Sequence, residues 1–259
     1  VGRKGNRQHM KRLAAPRLWP VHRKKAVWAV KPSPGPHPMG ECLPLQVIIR
    51  DILDYAKTGK EAKKIITDGK IIVDGRVRKD RRFPVGLMDV IEIPDLEELY
   101  RVLPKYRKGL VLQPIEAEEK NFKLCKVIGK TTIKGGKTQF NLYDGRNLVL
   151  VEGRDYSEEE EESETEIISF NDIKVNDVLK ISIPNQKFEE YIKLEEGVIG
   201  LIVGGKNAGR FGVIKDITKG LMRSLNLITI ETETEPIMTP LDFVFVVGKE
   251  TPLIKLPDW

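Results

Sequence analysis

Lysine and arginine are the residues whose spacing here suggests chemistry, and that chemistry is the neutralisation of a polyanion. Residues 57–82 hold ten bases, Lys57, Lys60, Lys63, Lys64, Lys70, Arg76, Arg78, Lys79, Arg81 and Arg82, against four acids. On a helix stepping about 100° per residue, Lys60, Lys63 and Lys64 fall opposite Ala62, Ile65 and Ile66. One face is then a core stripe and the other a row of ammonium groups suited to phosphate, with an ordinary solvated face as the alternative reading. A second concentration lies in residues 1–41, where Arg3, Lys4, Arg7, Lys11, Arg12, Arg17, Arg23, Lys24, Lys25 and Lys31 face a single acid, Glu41. That segment carries +9 of a chain whose net charge is +6, so the remainder sums to −3. A basic arm on a slightly acidic body points to nucleic acid or an anionic membrane surface.

Other chemistries find little support. Gly129-Lys130-Thr131 and Gly136-Lys137-Thr138 each look like the tail of a phosphate-binding loop, but the glycine required five positions earlier is Leu124 in one case and Thr131 in the other. His9, His22 and His37 all sit in the arm, away from any serine or cysteine nucleophile of a folded body, so a hydrolytic triad has no basis. Cys42 and Cys125 form no C-x-x-C pair and suggest neither zinc nor a disulfide framework. Seven carboxylates crowd residues 157–166, a solvated acidic loop too mobile to preorganise acid–base chemistry. The expectation is no enzyme, no cofactor, no metal and no small-molecule substrate. No run approaches the roughly eighteen apolar residues of a membrane-spanning helix, and the first thirty residues lack the apolar core of a signal peptide. A soluble, intracellular protein is expected.

Particular elements must position these cations. The arm has too few periodic apolar residues to fold alone and is expected to gain order only along RNA. Its Trp19 and Trp28 either stack on bases or dock on the protein body. Leu45, Ile48, Ile49, Ile52, Leu53 and Ala56 predict one amphipathic helix, with Gly59 as its C-terminal cap. Thr58 and Glu61 then form a capping box for a second helix that stops at Gly69. Residues 71–77 read as a hairpin turning at Asp74-Gly75, and residues 90–93 as a further strand. From Tyr106 onward short β runs take over: 131–133, 139–143, 148–151, 178–183, 198–203, 212–217, 227–230 and 243–247, with turns at Gly135-Gly136, Asp144-Gly145 and Pro184-Asn185. They suggest one or two antiparallel barrels.

These residues also resemble a family. Leu43-Pro44-Leu45, Arg50-Asp51, Glu61-Ala62-Lys63-Lys64-Ile65-Ile66, Gly69, Val73-Asp74-Gly75, Val77 and residues 83–91 (FPVGLMDVI) look like the S-four-type RNA-binding domain, in the version of the archaeal and eukaryotic small-subunit ribosomal family called S-four-e. Gly2-Arg3-Lys4-Gly5 and residues 9–16 (HMKRLAAP) are similar to that family's N-terminus, and residues 204–214 (GGKNAGRFGVI) to its KOW motif. The glutamate run departs from the family's pattern. In the KOW-like segment, Gly205, Gly209 and Gly212 would let a tight loop take left-handed angles while Lys206 and Arg210 point outward.

The resemblance implies a multidomain α+β and all-β protein: a basic N-terminal arm (1–41), a small α+β S-four-type domain (42–105), a central antiparallel β domain (106–192) with the acidic loop 157–166, and a C-terminal SH3-like KOW barrel (193–259). Its expected partners are small-subunit ribosomal RNA and neighbouring ribosomal proteins, in the cytoplasm. The basic residues of the arm and of the Lys60–Arg82 stretch, with Arg50, Lys206 and Arg210, are the expected RNA contacts. Two rivals stay open: an RNA-modifying enzyme bearing such a domain, and a KOW-containing assembly or transcription factor.

Overall fold

Residues 9–134, 136–150, 172–220, 225–232 and 235–257 are described by a computed structural model. The chain divides into two compact units, Val1–Ile115 and Glu116–Trp259.

The first unit opens with a ribbon of β1 (Met10–Lys11) and β2 (Trp28–Ala29), followed by β3 (Cys42–Pro44), α1 (Leu45–Val47) and α2 (Gly59–Thr67). Then come β4 (Ile72–Val73), β5 (Arg76–Val77), β6 (Pro84–Gly86), β7 (Val90–Ile93), β8 (Glu98–Lys105) and β9 (Gly109–Pro114). A five-stranded sheet runs β5-β4-β7-β8-β9, and β3 pairs with β6. Leu43, Leu45, Ile48, Ile49, Ala62, Ile66, Ile71, Val85, Ile91 and Val102 are wholly or almost wholly removed from solvent in one core. At the β4–β5 turn Asp74 and Gly75 take φ of 49° and 69°, the left-handed pair that matches the twist of a two-residue hairpin.

Two expectations about this unit are corrected. The apolar run 45–56 is not one α-helix: α1 passes into a wider turn, Ile48–Ile52, in which Leu53 N–H reaches back to Ile48 O at 2.9 Å and Tyr55 N–H to Ile49 O at 3.0 Å. The chain breaks out at Asp54, φ 55°. Gly59 therefore caps nothing before it; it is the first residue of α2, whose N-cap is Thr58. Further on, β9 pairs along β8 from Tyr100↔Pro114 to Lys105↔Gly109, so the sheet continues past residue 105.

In the second unit, β10 (Phe122–Thr132), β11 (Thr138–Leu142), β12 (Asn147–Leu150), β13 (Val178–Ser182) and β14 (Phe188–Ile192) form a sheet of order β12-β11-β10-β13-β14. The strand β10 is long because it serves two partners: Phe122–Lys126 faces β13 and Val127–Thr132 faces β11, with a register shift at Val127/Gly129. Its apolar side packs Cys125 and Val127 with Phe140, Leu142, Leu179 and Ile181. A second sheet, order β18-β17-β16-β15-β19, comprises β15 (Ile199–Ile202), β16 (Phe211–Thr218), β17 (Leu227–Glu231), β18 (Pro236–Pro240) and β19 (Val244–Gly248). Residues 129–131 lie within β10 and residue 138 opens β11, so neither P-loop-like tail leads into a helix. The acidic run 157–166 lies outside the described residues.

Candidate nucleic-acid interface

The helix α2 is built to show its cations. Thr58 Oγ1 accepts from Glu61 N–H, and the Glu61 carboxylate accepts from Thr58 N–H, closing the capping box the sequence foretold. Those backbone bonds hold the Glu61 carboxyl below its ordinary pKa. Ala62 and Ile66 are fully buried, Ile65 is half-buried against the same core, and Lys60, Lys63 and Lys64 all lie exposed. Arg76 and Lys79 are also exposed on and after the neighbouring hairpin. Gln46, 2% exposed, ties the two parts together: its Nε2 donates to Gly59 O at 3.1 Å, and its Oε1 accepts from Arg81 at 3.3 Å.

Other predicted contacts are engaged locally. Arg50 is paired with Asp51 at 2.7 Å and Lys70 with Asp95 at 2.6 Å. The Arg78 guanidinium lies 4.4 Å over the Phe83 ring, and Arg82 Nε donates to Lys31 O at 2.9 Å. In the second unit Lys206 is exposed while Arg210 pairs with Glu235 at 3.0 Å. Gly205 and Gly209 have φ of 80° and 92°, as a tight loop requires. Gly212 does not share this role. It lies in β16, where a Cβ would come 2.0 Å from Glu231 O, so what it supplies is close backbone approach.

The arm overturns the expectation of a segment ordered only by RNA. Met10, Ala15 and Trp19 are buried in the core of the first unit, with Leu18, Val21, Ala29 and Val30 packed against it. Arg12 cannot face RNA: it is 3% exposed, donates to Asp51 at 3.0 Å and to His22 O at 2.8 Å, and locks the arm to the body. Arg23 donates to Leu13 O, Ala15 O and Pro16 O, pinning the arm's first turn. Further along, His37 Nε2 lies 3.0 Å from Asp89 Oδ1, both side chains almost fully buried. A Cβ on Gly86 would sit 2.2 Å from that imidazole, so only glycine leaves room for it. Gly109, φ 83°, gives way in the same manner to Leu18, whose carbonyl accepts from Leu110 N–H at 2.8 Å. The two tryptophans part company: Trp19 is docked at 3% exposure and Trp28 stands out at 53%. Lys11, Arg17, Lys24 and Lys25 are exposed and Lys31 is half-buried, while Arg3, Lys4 and Arg7 lie outside the described residues.

The sequence reading passed over one basic group. At the β8–β9 turn Lys105, Arg107 and Lys108 flank Tyr106 in sequence, and the Arg107 guanidinium lies 5.1 Å over the ring. Three cations about one aromatic within four residues was a visible signal.

Comparison with known proteins agrees with this geometry. Residues 96–188 match the family described as Ribosomal family S4e, residues 4–40 the RS4NT (NUC023) domain and residues 43–91 the S4 domain. Small ribosomal subunit protein eS4 of Ignicoccus hospitalis is 48% identical over 255 residues, covering 98% of this chain and 96% of that protein. The protein of the same name from Staphylothermus marinus is 49% identical over 259 residues, covering 100% of this chain and 99% of that one. The crystal structure of 30S ribosomal protein S4e from Thermoplasma acidophilum, 32% identical, superposes with a TM-score of 0.63 over 81% of this chain and 96% of that one. With relatives alike from end to end at nearly half of all positions, and with the S4 domain falling on the unit that carries α2 and its lysines, the chain belongs to the ribosomal family S4e.

Proposed function

We propose that this chain is a structural constituent of the small ribosomal subunit, holding ribosomal RNA through phosphate and shape contacts and taking part in translation in the cytoplasm. The role is architectural, not enzymatic, and the partners are small-subunit RNA and adjacent ribosomal proteins. The observation that carries the RNA-binding part is α2: its apolar face is spent on the core, and Lys60, Lys63 and Lys64 stand outward beside Arg76 and Lys79. Such cations displace counterions from phosphate and give affinity with little base specificity. Lys11, Arg17, Lys24 and Lys25 extend the contact along the arm, and Lys206 offers a further one from the second unit.

In the finer arrangement, residues 1–41 are the arm, 42–105 the S4-type domain with its sheet prolonged by β9, 106–192 a central β domain, and 193–259 a KOW barrel of the SH3-like kind. The strand order β18-β17-β16-β15-β19, a four-strand meander with the last strand returning beside the first, supports the barrel reading. Sedimentation of ribosomes through a high-salt sucrose cushion tests the assignment. A stoichiometric constituent stays in the small-subunit pellet, whereas a protein that washes into the supernatant is a factor or an enzyme.

A further inference from the structure

We propose that the outer face of the β1–β2 ribbon, formed by His9, Lys11 and Trp28, is a stacking platform for an unpaired RNA base, with Lys11 on the adjoining phosphate. The inference rests on the RNA-binding reading above and adds a site to it. In the ribbon Met10 lies opposite Ala29, and Lys11 opposite Trp28. Met10 is buried and Ala29 packs on the core, so that pair faces inward. Side chains alternate across a strand, which puts His9, Lys11 and Trp28 together on the other face.

There the indole is left 53% exposed, while the arm's other tryptophan is docked. The His9 ring meets it at 86° with centroids 5.2 Å apart and braces it. Leu13 and Val27, near in sequence, are also exposed, at 68% and 66%.

The ribbon is also held ready. Arg12 N–H donates to Val27 O at 2.9 Å, its guanidinium binds His22 O and Asp51, and Arg23 fastens the carbonyls of Ala15 and Pro16. A platform fixed beforehand loses little entropy when a ligand settles on it. Charge selects the occupant. Residues 9–40 contain no acid, and Lys11, Lys24 and Lys25 are exposed about the ribbon. A nucleotide supplies both partners such a face lacks, a π-surface for the indole and an anion for the ammonium.

The test uses the full chain and deproteinised small-subunit RNA as the probe, with affinity measured at several salt concentrations. Trp28→Leu keeps an apolar side chain but removes the ring, and should weaken binding between about five-fold and about a hundred-fold with no change in salt slope. Trp28→Phe should recover most of that loss. Lys11→Gln should lower the slope by about one. RNA should quench the indole emission of the parent protein and quench Trp28→Phe distinctly less. Because Trp28 is exposed, the urea midpoints of these variants should match the parent's. If Trp28→Leu binds as tightly as the parent and the quench survives in Trp28→Phe, the platform is overturned while the parent's salt-dependent binding stands. If the parent itself shows no saturable binding, the RNA-binding reading falls first. If Trp28→Leu binds naked RNA normally yet leaves assembled subunits at lower salt, the indole's partner is a protein, and the proposal is wrong.

Discussion

Lys126 donates from its ammonium to three backbone carbonyls, Val244 O at 2.8 Å, Asp242 O at 3.1 Å and Leu241 O at 3.4 Å, and joins the two sheets of the second unit from inside. Burial disfavours its charge and pulls its pKa down to about 8, although nearby Asp242 works the other way. Between that value and the ordinary 10.5 the unfolded chain keeps a proton that the folded one has lost. Its contribution to stability is therefore full above 10.5 and is lost as the pH falls to about 8, at no more than about 1.4 kcal/mol per pH unit. Urea unfolding from pH 7.5 to 10.5 should show the parent gaining stability over Lys126→Met across that window; parallel curves would count against it. Asp144 also has a lowered pKa, so its stability likewise rises with pH, but here the charged form is the one the fold favours. Burial raises its pKa, but Lys123 at 3.2 Å and Arg146 at 3.1 Å outweigh burial and hold the carboxyl below its usual range. This stability is present at neutral pH and lost as the pH falls through the lowered folded value. With Lys123 and Asp144 both 2% exposed, Asp144→Ala removes one member of a buried ion pair and should cost about 3–5 kcal/mol in a denaturant melt at pH 7.

At the scale of elements, α2 should fail in two separable ways. Lys63→Glu with Lys64→Glu touches no core contact, so stability should stay within about 0.5 kcal/mol while RNA affinity falls. Replacing both with Gln should reduce the salt slope by about one to two. Ile66→Ala instead removes a side chain with no exposure and should cost about 2–5 kcal/mol, weakening RNA binding only as far as the domain unfolds. Folded charge-reversed protein with unchanged affinity would take α2 out of the interface. This helix could be read from sequence because everything that defines it, cap, stripe and stop, lies within a dozen residues. The preceding segment could not, since apolar spacing over 45–56 fits an α-helix and a wider turn equally well. The strands β14 and β18 also went unread, having only alternating or interrupted apolar residues at a sheet edge. Most hidden was the docked arm, because Arg12 looks like a solvent-facing cation and His37 like a loop residue until Asp51 and Asp89 arrive from 39 and 52 residues away. Hydrogen exchange on the isolated protein should accordingly find slow amides at Arg12, whose N–H bonds Val27 O, and at Ser33, whose N–H bonds Arg82 O. Fast exchange at both would mean that the arm is undocked away from RNA.

Across the whole molecule, two compact units predict two autonomous folding bodies, each with its own apolar core. Residues 116–259 expressed alone should melt cooperatively, and so should residues 1–115. A shorter piece ending at residue 105 should melt lower or aggregate, because it strips β9 from β8, exposes an unpaired strand edge and removes the Leu110 N–H that Leu18 O accepts. Equal midpoints for the two pieces would show that β9 contributes nothing. The same arm contacts impose a schedule on synthesis. Translation makes the arm before Asp51, Asp89 and Leu110, the residues that secure it. The arm is thus fastened only after its own synthesis, and until Leu110 has left the exit tunnel its cations and Trp19 face the surroundings unsheltered. A chain stalled before that point is one a chaperone must cover.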